Sequence, residues 1–185
     1  MIILSAGNNE IFDFVTPVGI GLINSSINLT KIVIKNRPKS ILFIGTAGSY
    51  GNLKPFDIIH SNSSTNIETG YFLNNCYTPI DNKIVSIESN VSCETTNGNK
   101  ILVNSSNYIT TNKELSNKFL KNGIEAENME FFSILTVANK FNIPAYGIFI
   151  ITNYCDEHAH DDFIKNHGYA KEKLTQYVRK QVSNS

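Results

Sequence analysis

The chain has 185 residues, 41% of them apolar, enough for a hydrophobic core in one domain and short for two. Lysine plus arginine and aspartate plus glutamate both number 16, so the formal net charge is zero. That balance lacks the electrostatic footprint of a nucleic-acid or anionic-membrane partner, and no apolar run reaches the roughly 20 residues of a membrane-spanning helix. A small molecule is the partner to expect.

In chain order, the apolar opening Met1–Gly7 has no basic leader and soon meets Asn and Glu, so it reads as a buried strand rather than a signal peptide. Strands are predicted at Ile2–Ala6, Ile41–Gly45, Asp57–His60, Ile84–Ser86, Ile101–Val103 and Ala145–Thr152. Helices are predicted at Leu22–Lys35, Lys113–Leu120, Met129–Phe141 and Phe163–Val182. In the third helix Phe132, Leu135, Ala138 and Asn139 mark one face, and Pro144 ends the connection to the last strand. The polar stretches Ser61–Thr69 and Asn90–Lys100 read as loops that either hold a ligand or are solvated connections. Strands alternating with helices predict an α/β sheet covered on both sides, as a single domain over 1–185. Cys76, Cys93 and Cys155 are widely spaced and odd in number, which predicts reduced thiols in a cytoplasmic protein.

Three segments carry possible chemistry. Leu42–Gly51 runs from an apolar strand into a turn rich in Gly and Thr; it either lets backbone N–H groups approach a ligand or is a tight turn. It matches neither a Walker loop nor a dinucleotide fingerprint. Glu127 and Glu130 stand three apart at a helix start, where either both complement the helix dipole or Glu130 offers its carboxylate to a sugar diol. Thr152-Asn153 ends the longest apolar strand, where open α/β sheets bind ligands, or makes an ordinary turn. His158-Ala159-His160-Asp161-Asp162 reads as an acidic helix start rather than a metal site.

The ordered set resembles the nucleoside phosphorylase and nucleosidase superfamily. The matching segments are Gly19-Ile20-Gly21, Gly45-Thr46-Ala47-Gly48 followed by Lys54–Ile59, Asn128-Met129-Glu130 and Thr152-Asn153. Asn104–Ile109 and Glu127–Phe132 further resemble the short purine nucleoside phosphorylases of epsilon-class bacteria. The resemblance implies a three-layer sandwich whose central mixed, mostly parallel sheet is flanked by helices. It implies cleavage of the purine N-glycosidic bond, with Glu130 on the ribose hydroxyls and Met129 against the sugar. Tyr108 would stack on the base, Ile109 would meet its edge through the backbone, and Asn153 would bond the purine N7. Gly7, Thr46, Ala47 and Gly48 would line the side of the attacking phosphate or water. Glu10 stands where nucleosidases keep the glutamate that activates water.

Asn153 can donate only a hydrogen bond, where an Asp could supply a proton. Family members with Asn at this position tend to take 6-oxopurine nucleosides such as inosine and guanosine, so the resemblance implies that substrate class. Phosphorolysis in purine salvage, with phosphate as co-substrate and no other cofactor or metal, is the first expectation. The alternatives are a water-using purine nucleosidase with Glu10 as base, and a non-catalytic nucleoside-binding module. The chain departs from the family in being short between Glu10 and Gly19. It has two arginines, Arg37 and Arg179, and Phe43 stands near where a phosphate-binding arginine often lies. Family members complete their pockets in oligomers, so a homo-oligomer is expected.

Overall fold

The structure is a computed structural model and describes residues 1–74, 76–87 and 101–183. Among these, β1 (Ile2–Ser5), β2 (Thr16–Pro17), β3 (Ile41–Ser49), β4 (Ile58–Ser61), β5 (Ser63–Thr65), β6 (Lys83–Val85), β7 (Leu102–Asn104), β8 (Ala126–Glu127) and β9 (Ala145–Tyr154) form one mixed sheet. β3 is its hinge. It runs parallel to β1 along Ile41–Phe43, parallel to β9 along its whole length, and antiparallel to β8 at Gly48 and Ser49. From β8 the sheet continues through β7 and β5, both parallel joins, to the antiparallel edge strand β6. The antiparallel β4 covers β9 on the other side.

Period-two alternation along β3 and β9 sorts the core onto two faces. Ile41, Phe43, Ala145, Phe149 and Ile151 face α1 (Gly21–Asn36) and α3 (Phe131–Lys140). Leu42, Ile44, Ile148 and Ile150 face α4 (Ala159–Ser183). The helices answer with residues four apart: Ser25, Leu29 and Val33 on α1, and Ala170, Leu174 and Val178 on α4, all buried. Each such Leu, Ile or Phe contributes about 1.5–3 kcal/mol by leaving water. A third cluster joins Tyr50, Ile67 and Ile124 to Phe119 of α2 (Lys113–Lys121), with the Tyr50 and Phe119 rings stacked at 4.3 Å. These layers are the flanked, mostly parallel sandwich that the sequence predicts.

Ser61–Thr69 is not a loop. Ser63, Ser64 and Thr65 form a buried strand paired on both edges, and a 3-10 turn begins at Thr69. Polar residues can sit there because each finds a partner: Thr65 Oγ1 donates to Asn104 Oδ1 at 2.9 Å, and Ser64 Oγ to the Val103 carbonyl at 2.7 Å. The face assigned to the third helix is also rotated. Phe131, Ile134, Leu135 and Ala138 are buried, whereas Phe132 and Asn139 are half-exposed, because the helix is packed against both α1 and the sheet. Asn139 instead spends its amide on the loop after β6, at the Val85 carbonyl and the Ile87 N–H. α4 starts at Ala159, four residues earlier than predicted. The two-residue strands β2 and β8 have no periodic signal of their own. The predicted loop Asn90–Lys100 lies outside the described residues, as does Cys93. Cys76 is an exposed and Cys155 a buried free thiol. Among the described residues no helix is long and apolar enough to cross a membrane.

Candidate active site

A cavity of about 360 Å³ opens where β1, β3 and β9 all end. Parallel strands bring their carboxyl ends together there, so the residues just past each strand share one space. All ten residues singled out in the sequence line it: Gly7 and Glu10 after β1, Thr46, Ala47 and Gly48 on β3, Tyr108 and Ile109 in the loop before α2, Met129 and Glu130 before α3, and Asn153 on β9.

Glu10 reaches the cavity through a tight turn. Its N–H donates to the Gly7 carbonyl at 3.0 Å, and its own carbonyl accepts the Ser5 hydroxyl at 2.7 Å. Gly7 has φ +88, and a Cβ there would lie 2.9 Å from Pro17 Cβ, so the turn requires glycine. The Glu10 carboxylate then lies over Gly45 of the central strand, where a Cβ would approach Oε2 to 2.8 Å. Oε1 accepts both the Thr46 N–H at 2.7 Å and the Thr46 hydroxyl at 2.5 Å. Oε2 is buried without a hydrogen-bond partner. Burial raises the Glu10 pKa above the usual carboxylate value against the pull of the Thr46 bonds.

Glu130 is 3% exposed, and its Oε1 accepts the Gly21 N–H, the first amide of α1, at 2.8 Å. Burial, aided by the negative Glu10 nearby, pushes its pKa up to about 7 against that bond. Asn128 fixes the approach. Its Oδ1 accepts the N–H groups of Glu130 and Phe131 at 3.0 Å each, at the entry to α3, while Nδ2 donates to the Thr46 carbonyl at 3.1 Å. Asn128 thus ties both carboxylate supports together; its signal in the sequence is an Asn just ahead of an apolar helix.

Asn153 owes its place to a β-bulge. Ala47 pairs with Ile151 but Gly48 pairs with Asn153, so Thr152 is the extra residue and the strand is re-aimed at the cavity. The Asn153 Oδ1 accepts the Thr152 hydroxyl at 2.8 Å, and Nδ2 donates to the Tyr154 carbonyl at 2.9 Å. Tyr108 and Ile109 stand at the rim, 85% and 58% exposed.

Other lining residues carried no reading as site residues: Ile20, Thr111, Glu127, His160 and Phe163 among them. The early start of α4 is what brings His160 and Phe163 to the wall. Asp161 and Asp162 occupy the first turn of α4, as the dipole reading expects. Asp156 is turned away and accepts the His158 N–H at 3.0 Å. Among the described residues no group of three or more His, Cys, Asp or Glu is placed to hold a metal.

The wall holds three glutamates, Glu10, Glu127 and Glu130, and no lysine or arginine among its described residues. Arg37 is the left-handed residue that ends α1, and Arg179 forms an exposed ion pair with Asp13 at 2.6 Å. Phe43 is fully buried against the Phe131 and Phe149 rings.

Residues 2–183 match the Phosphorylase superfamily, and the chain belongs to it. No curated protein matches the sequence. The structure is similar to the 5′-methylthioadenosine/S-adenosylhomocysteine nucleosidase of Helicobacter pylori, with TM-score 0.80, 17% identity, and 99% of this chain and 97% of that one covered. It is equally similar to the futalosine hydrolase of the same organism, at TM-score 0.80, 17% identity and the same coverage. The corresponding nucleosidase of Neisseria meningitidis gives TM-score 0.79, 16% identity, and 100% and 98% coverage. At these identities the likeness is one of fold.

Proposed function

We propose that this chain hydrolyses the N-glycosidic bond of purine nucleosides, with water as the nucleophile and Glu10 as its base. The observation that carries this reading is a wall with three glutamates and, among its described residues, no lysine or arginine. A phosphate dianion placed there would meet acidic side chains and no guanidinium. The Thr46 N–H and hydroxyl both already donate to Glu10. The nucleosidases and hydrolase of the same fold support the reading. It displaces phosphorolysis, which the sequence motifs first suggest, and with it the closeness to the short phosphorylases.

The chemistry follows from the charges. As the bond to the purine stretches, the sugar becomes oxocarbenium-like, and buried carboxylates stabilise it most in the transition state. Glu130 takes the ribose hydroxyls and Met129 packs on the sugar. The free Oε2 of Glu10 accepts the proton of the attacking water. Tyr108 stacks on the base and the Ile109 backbone meets its edge. Asn153 donates to N7, which favours 6-oxopurines. Gly7, Thr46, Ala47 and Gly48 line the water side. No cofactor or metal enters this scheme.

The test is inosine with and without phosphate. Free ribose, released at a rate indifferent to phosphate, is expected; ribose 1-phosphate as the product overturns the reading. We also expect a homodimer or larger homo-oligomer. Ile20, Ile23, Ile27 and Ile34 are 43%, 68%, 49% and 62% exposed along α1, a stripe that begins on the cavity wall. Light scattering that returns a monomer counts against a second copy on that stripe.

A further inference from the structure

The hydrolytic scheme leaves one proton unplaced. The departing purine carries an electron pair that N7 must share with a proton, and the Asn153 amide has none to give. Its Nδ2 gives one N–H to the Tyr154 carbonyl and keeps the other for the base, but neither is an acidic proton. A carboxyl stands in the same row of the sheet. Gly48 pairs with Glu127 on one side and with Asn153 on the other, so all three residues lie side by side across β8, β3 and β9. Residues paired in register point to the same face. Gly48 has no side chain, and the point where its Cβ would lie is 3.3 Å from Glu127 Cγ and 3.2 Å from Asn153 Nδ2. The two side chains flank the glycine together with the buried Cys155, whose Sγ lies 2.7 Å from the same point, and both of the two line the cavity.

We propose that Glu127 is the acid that protonates N7 of the departing purine. The inference rests on the hydrolytic reading above. The surroundings of Glu127 suit a proton donor. Oε1 accepts the Thr110 N–H at 2.9 Å, a bond that a carboxyl keeps as its carbonyl oxygen. Oε2 faces the Tyr50 hydroxyl at 3.0 Å, and a hydroxyl can go on donating to Oε2 when that atom carries a proton of its own. Burial holds the Glu127 pKa above the usual carboxylate value. Tyr50, just past β3, and Cys155, just past β9, are the titratable neighbours, and burial holds both well above their ordinary values, so both stay protonated near neutrality.

The protons balance. The Oε2–H of Glu127 passes to N7 as the bond from C1′ to N9 breaks and its pair moves into the ring. Water adds to C1′ and gives its proton to Glu10. Exchange with solvent returns both glutamates to their starting states, and free ribose and the neutral base leave.

The experiment compares inosine with 7-methylinosine, whose N7 is already alkylated and cationic and needs no proton. Glu127→Gln keeps the carbonyl acceptor for Thr110 and removes the acid. It should lower kcat on inosine by about 100-fold or more and leave 7-methylinosine within about threefold. Parallel losses on both nucleosides, or none on either, overturn the assignment. The wild-type enzyme provides a second measurement that needs no variant. The ratio of the inosine rate to the 7-methylinosine rate, with the ionisation of the 7-methylinosine N1–H titrated separately and divided out, should fall as rising pH ionises Glu127, since effects of Glu10 and Glu130 cancel in the ratio. A ratio constant with pH overturns the assignment too. A wild type that releases no ribose from inosine defeats the hydrolytic reading itself, an outcome distinct from either of these.

Discussion

The cavity has two walls of different construction. On one, Glu10 and Glu130 are buried and held by backbone amides of the rigid elements β3 and α1. On the other, Tyr108 and Ile109 ride on a loop and are mostly exposed. That loop is fastened through few bonds, among them the Thr110 N–H on Glu127 and the Leu22 N–H on the Asn107 side chain. A wall that must place charge is built on fixed elements, because an error of about 1 Å in a reacting group is expensive. A wall that offers flat apolar contact tolerates a looser support.

The contrast predicts unequal consequences. The largest belongs to the rigid wall: Glu10→Gln should lower kcat by about 100- to 10,000-fold with little change in KM, read from ribose release. A variant with near-normal kcat would move the base elsewhere. The loop wall should respond less and differently. Tyr108→Ala removes a stacking contact of about 0.5–1.5 kcal/mol, so KM should rise about two- to tenfold while kcat holds.

The rigid wall should also be visible in stability. The folded pKa of Glu130, about 7, lies above the ordinary 4.5. The folded state therefore keeps an extra proton across that window, and stability falls as pH rises from about 4.5 to about 7. The full shift corresponds to about 3 kcal/mol. Glu130→Gln should flatten the decline of Tm with pH, and an unchanged slope would remove Glu130 as its source. The smallest effect is expected away from both walls. The Arg179–Asp13 pair is exposed, and Arg179→Ala should change stability by less than about 1 kcal/mol and leave turnover alone.

The sequence was most legible where one residue type carries a local pattern. The alternating apolar runs of β3 and β9 fixed the centre of the sheet, and the glycines and carboxylates at strand ends pointed to the residues that line the cavity. It was least legible where the partner is distant. Ser63–Thr65 looks like a loop until Asn104, far along the chain, satisfies it. The bulge at Thr152 exists only in the register between β3 and β9. Glu127 read as half of a helix-start pair, yet it belongs to β8, and only the pairing across Gly48 sets it beside Asn153. Asn128 was read as part of a motif, while its work as a brace between Thr46 and α3 depends on contacts that no spacing reveals.

The turn that carries Glu10 belongs to a segment with its own limits. β1, the turn and β2 all fall within residues 2–17, and together they form one border of the sheet. That border meets β3 through the three pairs at Ile41, Leu42 and Phe43. Gly19, with φ +93, stands at the seam between the border and α1. Glu10, the base of the proposed scheme, is therefore carried on a cassette. A chimera joined at Gly19 would exchange Glu10 and its turn as one piece, and recombination between relatives could trade this carboxyl while inheriting Glu130, Tyr108 and Asn153 from the other parent.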